Sequence, residues 1–171
     1  MLARAQPETE PPKLQQPSGR ARPEFAWTRF AFIAQELPPL FEDHWREVAL
    51  NHDSVPLSPD WERYFQLDAK GILQVLTVRT DGALVGYHFL TVYPHLHYAK
   101  TWWAETDIFW LHPDHRQGLT GYKLLKLPRD WLRAAGVKHH TLRTKLHIPS
   151  FEPILQRLGY VPIETVYSLK D

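Results

Sequence analysis

The sequence predicts one α/β (α+β) domain over residues 24–171, preceded by a tail over residues 1–23. Three observations carry this. Apolar runs with a period of two alternate along the chain with stripes at helical spacing. An Asp81-Gly82 pair joins two β-rich runs as a tight hairpin turn. The stretch from Glu105 to Leu125 reads as a strand, a glycine-containing polar turn and the start of a helix, in that order. A chain of 171 residues has the length of one domain and can bury an ordinary core.

The tail, Met1 to Pro23, is rich in Pro, Gln, Arg and Glu and nearly free of large apolar residues, which predicts disorder. Phe25 to Phe32 alternates as a first strand. Glu36 to Leu50 predicts a helix, with Pro38 and Pro39 in its first turn and Leu40, Phe41, His44, Trp45, Val48 and Ala49 on one face. His44 on that stripe is either a core histidine or a pocket residue. Ser58 predicts the N-cap of a second helix running to Lys70, before Gly71. Ile72–Arg79 and Ala83–Tyr93 predict strands. In Pro94-His95-Leu96-His97-Tyr98 a His-x-His pair would place both rings on one strand face, but two histidines fall short of a zinc ligand set, and no metal is expected.

Trp102–Leu111 predicts the central strand. Simple alternation puts Glu105, Asp107, Phe109 and Leu111 on one face and Ala104, Thr106, Ile108 and Trp110 on the other. Two acids on a largely apolar strand are costly to bury unless paired or used. The helix that follows should kink or split at Pro128 and end at Gly136. Val137–Leu146 predicts a strand, Ser150–Leu158 a short helix with Ser150 as N-cap, and Tyr160–Leu169 the last strand.

A net charge of +1 gives no argument for nucleic acid or an anionic membrane as partner. The absence of cysteine excludes disulfides, thiolate nucleophiles and cysteine-based zinc sites, and suits a cytoplasmic protein. No apolar run reaches the ~18 residues of a membrane span, and the N-terminus lacks the apolar core of a signal peptide. The chemistry therefore concentrates at Arg116-Gln117-Gly118-Leu119-Thr120-Gly121. Such a turn aims unpaired backbone N–H groups outward at the positive end of a helix dipole, a site for phosphate or pyrophosphate. It is neither a P-loop nor a dinucleotide fingerprint.

That hexapeptide resembles the Arg/Gln-x-x-Gly-x-Gly/Ala signature of the GNAT N-acetyltransferase superfamily, with the middle glycine displaced to Gly118. Leu155-Gln156-Arg157-Leu158-Gly159-Tyr160 resembles the family's Tyr-Glu-Lys-Leu-Gly-Phe element, and Asp81-Gly82-Ala83-Leu84-Val85-Gly86 its Asp-Gly-x-x-Val-Gly hairpin. His44-Trp45-Arg46-Glu47, Pro59-Asp60-Trp61-Glu62-Arg63-Tyr64 and Pro94-His95-Leu96-His97-Tyr98 are similar to stretches of bacteriophage-associated members.

The resemblance implies a GNAT-like mixed, mostly antiparallel sheet of six or seven strands, and transfer of an acetyl group from acetyl-CoA to a primary amine of an unidentified small-molecule or protein acceptor. It implies that Arg116, Gln117, Gly118, Leu119, Thr120 and Gly121 hold the pyrophosphate. The backbone at Phe109, Trp110 and Leu111 would meet the thioester, and Trp61, Tyr64 and Phe65 would flank the acceptor. Asp107 is the implied base, with Glu105 beside it. The tyrosine that family members use as acid is replaced by Leu155, which leaves His147, Tyr167 and Tyr160 as candidates in that region. A catalytically inactive, phage-associated interaction module is the alternative. If the protein is phage-encoded, the compartment is the host cytoplasm or the virion. Monomer and homodimer are both open.

Overall fold

The structure, a computed structural model, describes residues 22–50, 53–147 and 151–169. The tail over residues 1–21, and the expected cap Ser150, lie outside the described residues. Five strands form one sheet in the order β1 (Glu24–Thr28), β2 (Leu73–Thr80), β3 (Ala83–His95), β4 (Tyr98–Leu111) and β5 (His139–Thr141). The first four are antiparallel neighbours, and β5 runs parallel to β4. Parallel neighbours need a crossover. It is supplied here by α3 (Thr120–Ala134).

On one face of the sheet lie α1 (Leu37–Val48) and α2 (Trp61–Ala69), packed through Leu37, Phe41, Trp61 and Tyr64 onto Tyr87, Phe89 and Trp110. On the other face α3 packs Leu124 and Leu132 against β2, β3 and β4. A short α4 (Glu152–Arg157) adds Leu155 beside Leu125 and Leu158. Gly86 is required by contact rather than by conformation. A Cβ there would stand 2.9 Å from the Trp110 carbonyl oxygen and 2.8 Å from a Leu111 methyl.

Several expectations are corrected. The first strand stops at Thr28, and Phe30–Phe32 form a 3₁₀ turn that drops Phe30 into the core. Asp60, not Ser58, caps α2, its carboxylate accepting the Arg63 N–H at 2.9 Å. Among the described residues the mixed, mostly antiparallel sheet that was expected has five strands, slightly fewer than six or seven. Of Val137–Leu146 only His139–Thr141 pairs, and Tyr160–Leu169 forms no strand, its Val161, Ile163, Val166, Tyr167 and Leu169 staying exposed. Period-two patterning marks a side-chain face, but a strand exists only where a neighbour takes up its backbone groups. Pro128 sits inside an unbroken α3. The carbonyl that a proline leaves without its helical donor is that of Leu124, and the His88 ring takes it up.

The alternation expected for β4 also fails, for a local reason. Phe89 pairs with Ile108 but Leu90 pairs with Thr106, so Asp107 is the extra residue of a β-bulge. The bulge exchanges the two faces. Ala104 and Thr106 before it, and Phe109 and Leu111 after it, all lie toward α3 and α4, while Ile108 and Trp110 lie toward α1 and α2.

Candidate active site

β4 and β5 are joined at Trp103–His139, Ala104–His140 and Glu105–Thr141, and then the ladder ends. β4 continues to Leu111 paired with β3 but no longer with β5, so a wedge opens with the Asp107 bulge just past its apex. The end of β4 leads through the 3₁₀ turn Pro113–His115 to Gly118, whose φ of +71° suits glycine and strains other residues. Next comes the start of α3. The bond from the Lys123 N–H to the Leu119 carbonyl, at 2.9 Å, closes the first turn of α3, so the N–H groups of Thr120, Gly121 and Tyr122 face out of the helix end. The turn fits an anion: no atom lies within 4 Å of a Cβ built on Gly118, and only a Leu111 methyl, at 4.0 Å, on Gly121.

The Arg116 guanidinium is not presented to that helix end. It grips Glu47 of α1 with two bonds, of 2.7 and 2.5 Å, and its Nε donates to the Leu111 carbonyl at 2.8 Å. Trp110 Nε1 donates to the same carboxylate at 2.8 Å. The Arg116 bond, ahead of burial, holds the Glu47 carboxyl below its usual range. Arg116 is therefore a tether between the end of β4 and α1, which leaves the backbone amides as the groups the helix end offers.

On the α1/α2 side, the Tyr64 hydroxyl donates to Asp107 Oδ2 at 2.7 Å in an exposed bond. Burial first, and then the Asp107 charge, pushes the Tyr64 phenol up from its ordinary value. Tyr93 pairs with Glu105 one strand away. His44 Nδ1 meets the Tyr87 hydroxyl at 2.8 Å and its ring stacks on Trp110. Burial pushes His44 down to about 4, so it is neutral near pH 7.

On the α3/α4 side, four buried or half-buried groups form a chain whose proton positions follow from its end. The Leu124 carbonyl can only accept, so His88 Nδ1 carries a proton, donated at 3.0 Å. Neutral His88 then accepts the Thr106 hydroxyl on Nε2 at 2.9 Å. Thr106 Oγ1 accepts from His140 Nε2 at 3.0 Å, and His140 Nδ1 accepts the Tyr160 hydroxyl at 2.6 Å. Burial pushes His88 down to about 4 and, with His88 and His139 nearby, His140 down to about 3, while burial moves Tyr160 up to about 12. The chain is neutral and donates in one direction throughout.

The structure thus joins Asp107 to Tyr64, and Trp110 and Arg116 to Glu47, along the part of β4 that follows Glu105, the last residue paired with β5, and leads to the Gly118–Gly121 turn. Phe109 lies on the other face of β4, ring to ring with Phe151. His147 is exposed in the turn after β5 and Tyr167 is 90% exposed. Among the described hydrogen bonds and ring contacts neither is joined to Asp107. His95 ends β3 and stacks on Trp103 and Tyr98, whereas His97 lies in the turn beyond, so the two do not share a strand face. Among the described residues no group of three or more His, Cys, Asp or Glu side chains could hold a metal ion, and no helix is long and apolar enough to cross a membrane. Sequence reading missed Glu47 and the His88–Thr106–His140 chain. The one available signal was Pro128, which frees the Leu124 carbonyl whatever the fold.

The fold and wedge define an acyltransferase. The profile of the Acetyltransferase (GNAT) family matches residues 33–159, and the chain belongs to that family, whose cosubstrate is acetyl-CoA. Comparison with curated proteins finds no match. Among solved structures, the chain is similar to ribosomal-protein-alanine N-acetyltransferase from Brucella melitensis biovar Abortus 2308, with 17% identity, a TM-score of 0.65 and coverage of 88% of this chain and 99% of that one. It is also similar to an aminoglycoside acetyltransferase from an uncultured soil metagenomic sample, in complex with sisomicin, at 13% identity and a TM-score of 0.64, covering 86% and 97%. A predicted acetyltransferase with acetyl-CoA from Clostridium acetobutylicum matches at 10% identity and a TM-score of 0.64, covering 87% and 96%. At these identities the likeness is one of fold.

Proposed function

We propose that the protein transfers the acetyl group of acetyl-CoA to a primary amine at the β4–β5 wedge. The observation that carries this is the three-residue β4–β5 ladder, which ends beside the bulge at Asp107 and leads up β4 to the open amide end of α3. In this reading the Gly118–Tyr122 amides hold the pyrophosphate, with no help from the Arg116 charge. The β4 backbone from Phe109 to Leu111 polarises the thioester carbonyl. Asp107, with Glu105 nearby, takes the amine proton. An exposed acid at the bulge, Asp107, with half-buried Glu105 nearby, favours an acceptor that arrives as a cation. Two of the similar structures are a ribosomal-protein-alanine N-acetyltransferase and an aminoglycoside acetyltransferase, which fits an amine without choosing between small molecule and protein. The phage-associated assignment and a cytoplasmic location belong to the same proposal. The first rests on the stretches around His44, Trp61 and His95.

Calorimetric titration with acetyl-CoA, with free CoA as control, followed by an amine panel, tests the reading. Micromolar binding with turnover of at least one amine is expected. Binding without turnover of any amine would instead favour the inactive module, and no binding at millimolar ligand would overturn the cofactor site.

A further inference from the structure

We propose that Tyr64, on α2, is the proton donor to the departing CoA sulfur, supplied across its hydrogen bond by the proton that Asp107 has taken from the amine. This rests on the acetyltransferase reading. It fills the place left by Leu155, where the family's acid tyrosine would stand.

The choice of Tyr64 comes from the geometry of the tyrosines near the wedge, of which Tyr122 packs in the Phe109–Leu125–Leu155 cluster at the start of α3, away from the acids. The Tyr87 ring is fully buried and its hydroxyl is engaged by His44. The Tyr160 hydroxyl gives its proton to His140, inside a chain that ends in the core. Tyr93 stands on β3 opposite Trp103, within the stretch of β4 that still pairs with β5. Tyr64 alone meets a carboxylate beyond the last ladder pair, on the bulged residue, in a bond open to solvent. Its ring is held by Phe30, Phe41 and Phe89, with centroids 5.1, 6.3 and 5.8 Å away, so the hydroxyl has a fixed position.

The protons balance. The acceptor amine, having released its ammonium proton to solvent before attack, adds to the thioester carbonyl carbon, forming the C–N bond, and the nitrogen becomes cationic. Asp107 accepts one proton from it. A protonated carboxyl is now a donor, so the Asp107–Tyr64 bond can reverse and turn the phenolic O–H toward the wedge. The C–S bond breaks, the electron pair stays on sulfur, and sulfur takes the Tyr64 proton while Tyr64 takes the Asp107 proton. Asp107 ends as the carboxylate it began as, and one proton has passed from nitrogen to sulfur. A phenol pushed up by burial and by a neighbouring anion is a poor acid by itself. It serves as a relay because Asp107 loses its charge at the moment the donor is needed.

The test is Tyr64→Phe, which keeps the ring and its packing. With acetyl-CoA, kcat should fall about 100-fold, with the acetyl-CoA Kd unchanged, whereas with thiophenyl acetate, whose thiolate leaves without a proton, the wild-type-to-variant ratio should shrink to about threefold or less. The Tyr64→Phe/Asp107→Asn double variant should be little worse than Asp107→Asn alone, as for groups acting as a unit. An unchanged kcat in Tyr64→Phe, or an equal defect with both donors, would overturn the relay and leave the acetyltransferase standing. Failure of the wild type to bind acetyl-CoA would overturn both.

Discussion

The two faces of β4 handle polar groups in opposite ways within one turn of chain. Toward α3 and α4, Thr106 belongs to a sequence of neutral donors and acceptors, each satisfied, ending on the carbonyl that Pro128 frees. Toward α1 and α2, Asp107, Glu47 and Arg116 keep their charges and stay partly exposed. The inner face cannot carry charge without a desolvation penalty, so it is built from groups that need none. The outer face keeps carboxylates near water, where they can exchange protons with a substrate. The inner chain therefore serves to fix β5 against β4 at the apex of the wedge, and the charged groups are left to the outer face.

The largest way to break this contrast is His88→Leu. It leaves the Leu124 carbonyl and the Thr106 hydroxyl without their buried partner, and should cost about 3 kcal/mol in denaturant unfolding. A loss under about 1 kcal/mol would mean that the chain is not what holds the strands.

Acid should act next. His88 and His140 have folded values of about 4 and about 3, below the ordinary 6.5. As pH falls through 6.5 the unfolded chain binds protons first. Stability is therefore full above about 6.5 and declines toward the folded values, by at most about 1.4 kcal/mol per pH unit for each histidine. His44, also lowered to about 4, adds to the slope from the other face. Unfolding at pH 7 and pH 5 in a His44→Gln background isolates the inner pair, because the window lies above the ordinary 4.5 of the paired acids Glu36 and Glu47. A flat profile there would show that the inner pair titrates normally.

Tyr160→Phe should cost about 1 kcal/mol, since it removes only the outermost link of the chain. Glu47→Gln should cost about 0.5 kcal/mol, as expected for a partly exposed ion pair, and should move the acetyl-CoA Kd by less than about threefold if the amides of the turn, rather than the Arg116 charge, hold the phosphates. A tenfold tightening would show instead that Glu47 competes with the cofactor for Arg116.

Most of the order of elements was legible because it rests on local rules. The Asp81-Gly82 hairpin and the two aromatic helices follow from turn chemistry and periodicity, and the glycine turn opening α3 from its residues, each within a short window. Of the candidate site, the strand carrying Asp107 and the glycine turn opening α3 were legible. The partners of Asp107 and Arg116 were not. Tyr64 reaches Asp107 across 43 residues and Arg116 reaches Glu47 across 69, and no periodicity within either segment encodes such a pairing.

The sequence by itself determined the order of most strands and helices, the glycine turn that opens α3 and the family to which the chain belongs. The tertiary structure decided which way the central strand faces after Asp107, because a bulge is set by register against β3 and not by side-chain pattern. It decided that Arg116 is a tether, because a charge so close to a carboxylate pairs with it. It also decided that 160–169 is not a strand, because the backbone bonds that make one have to come from a neighbour.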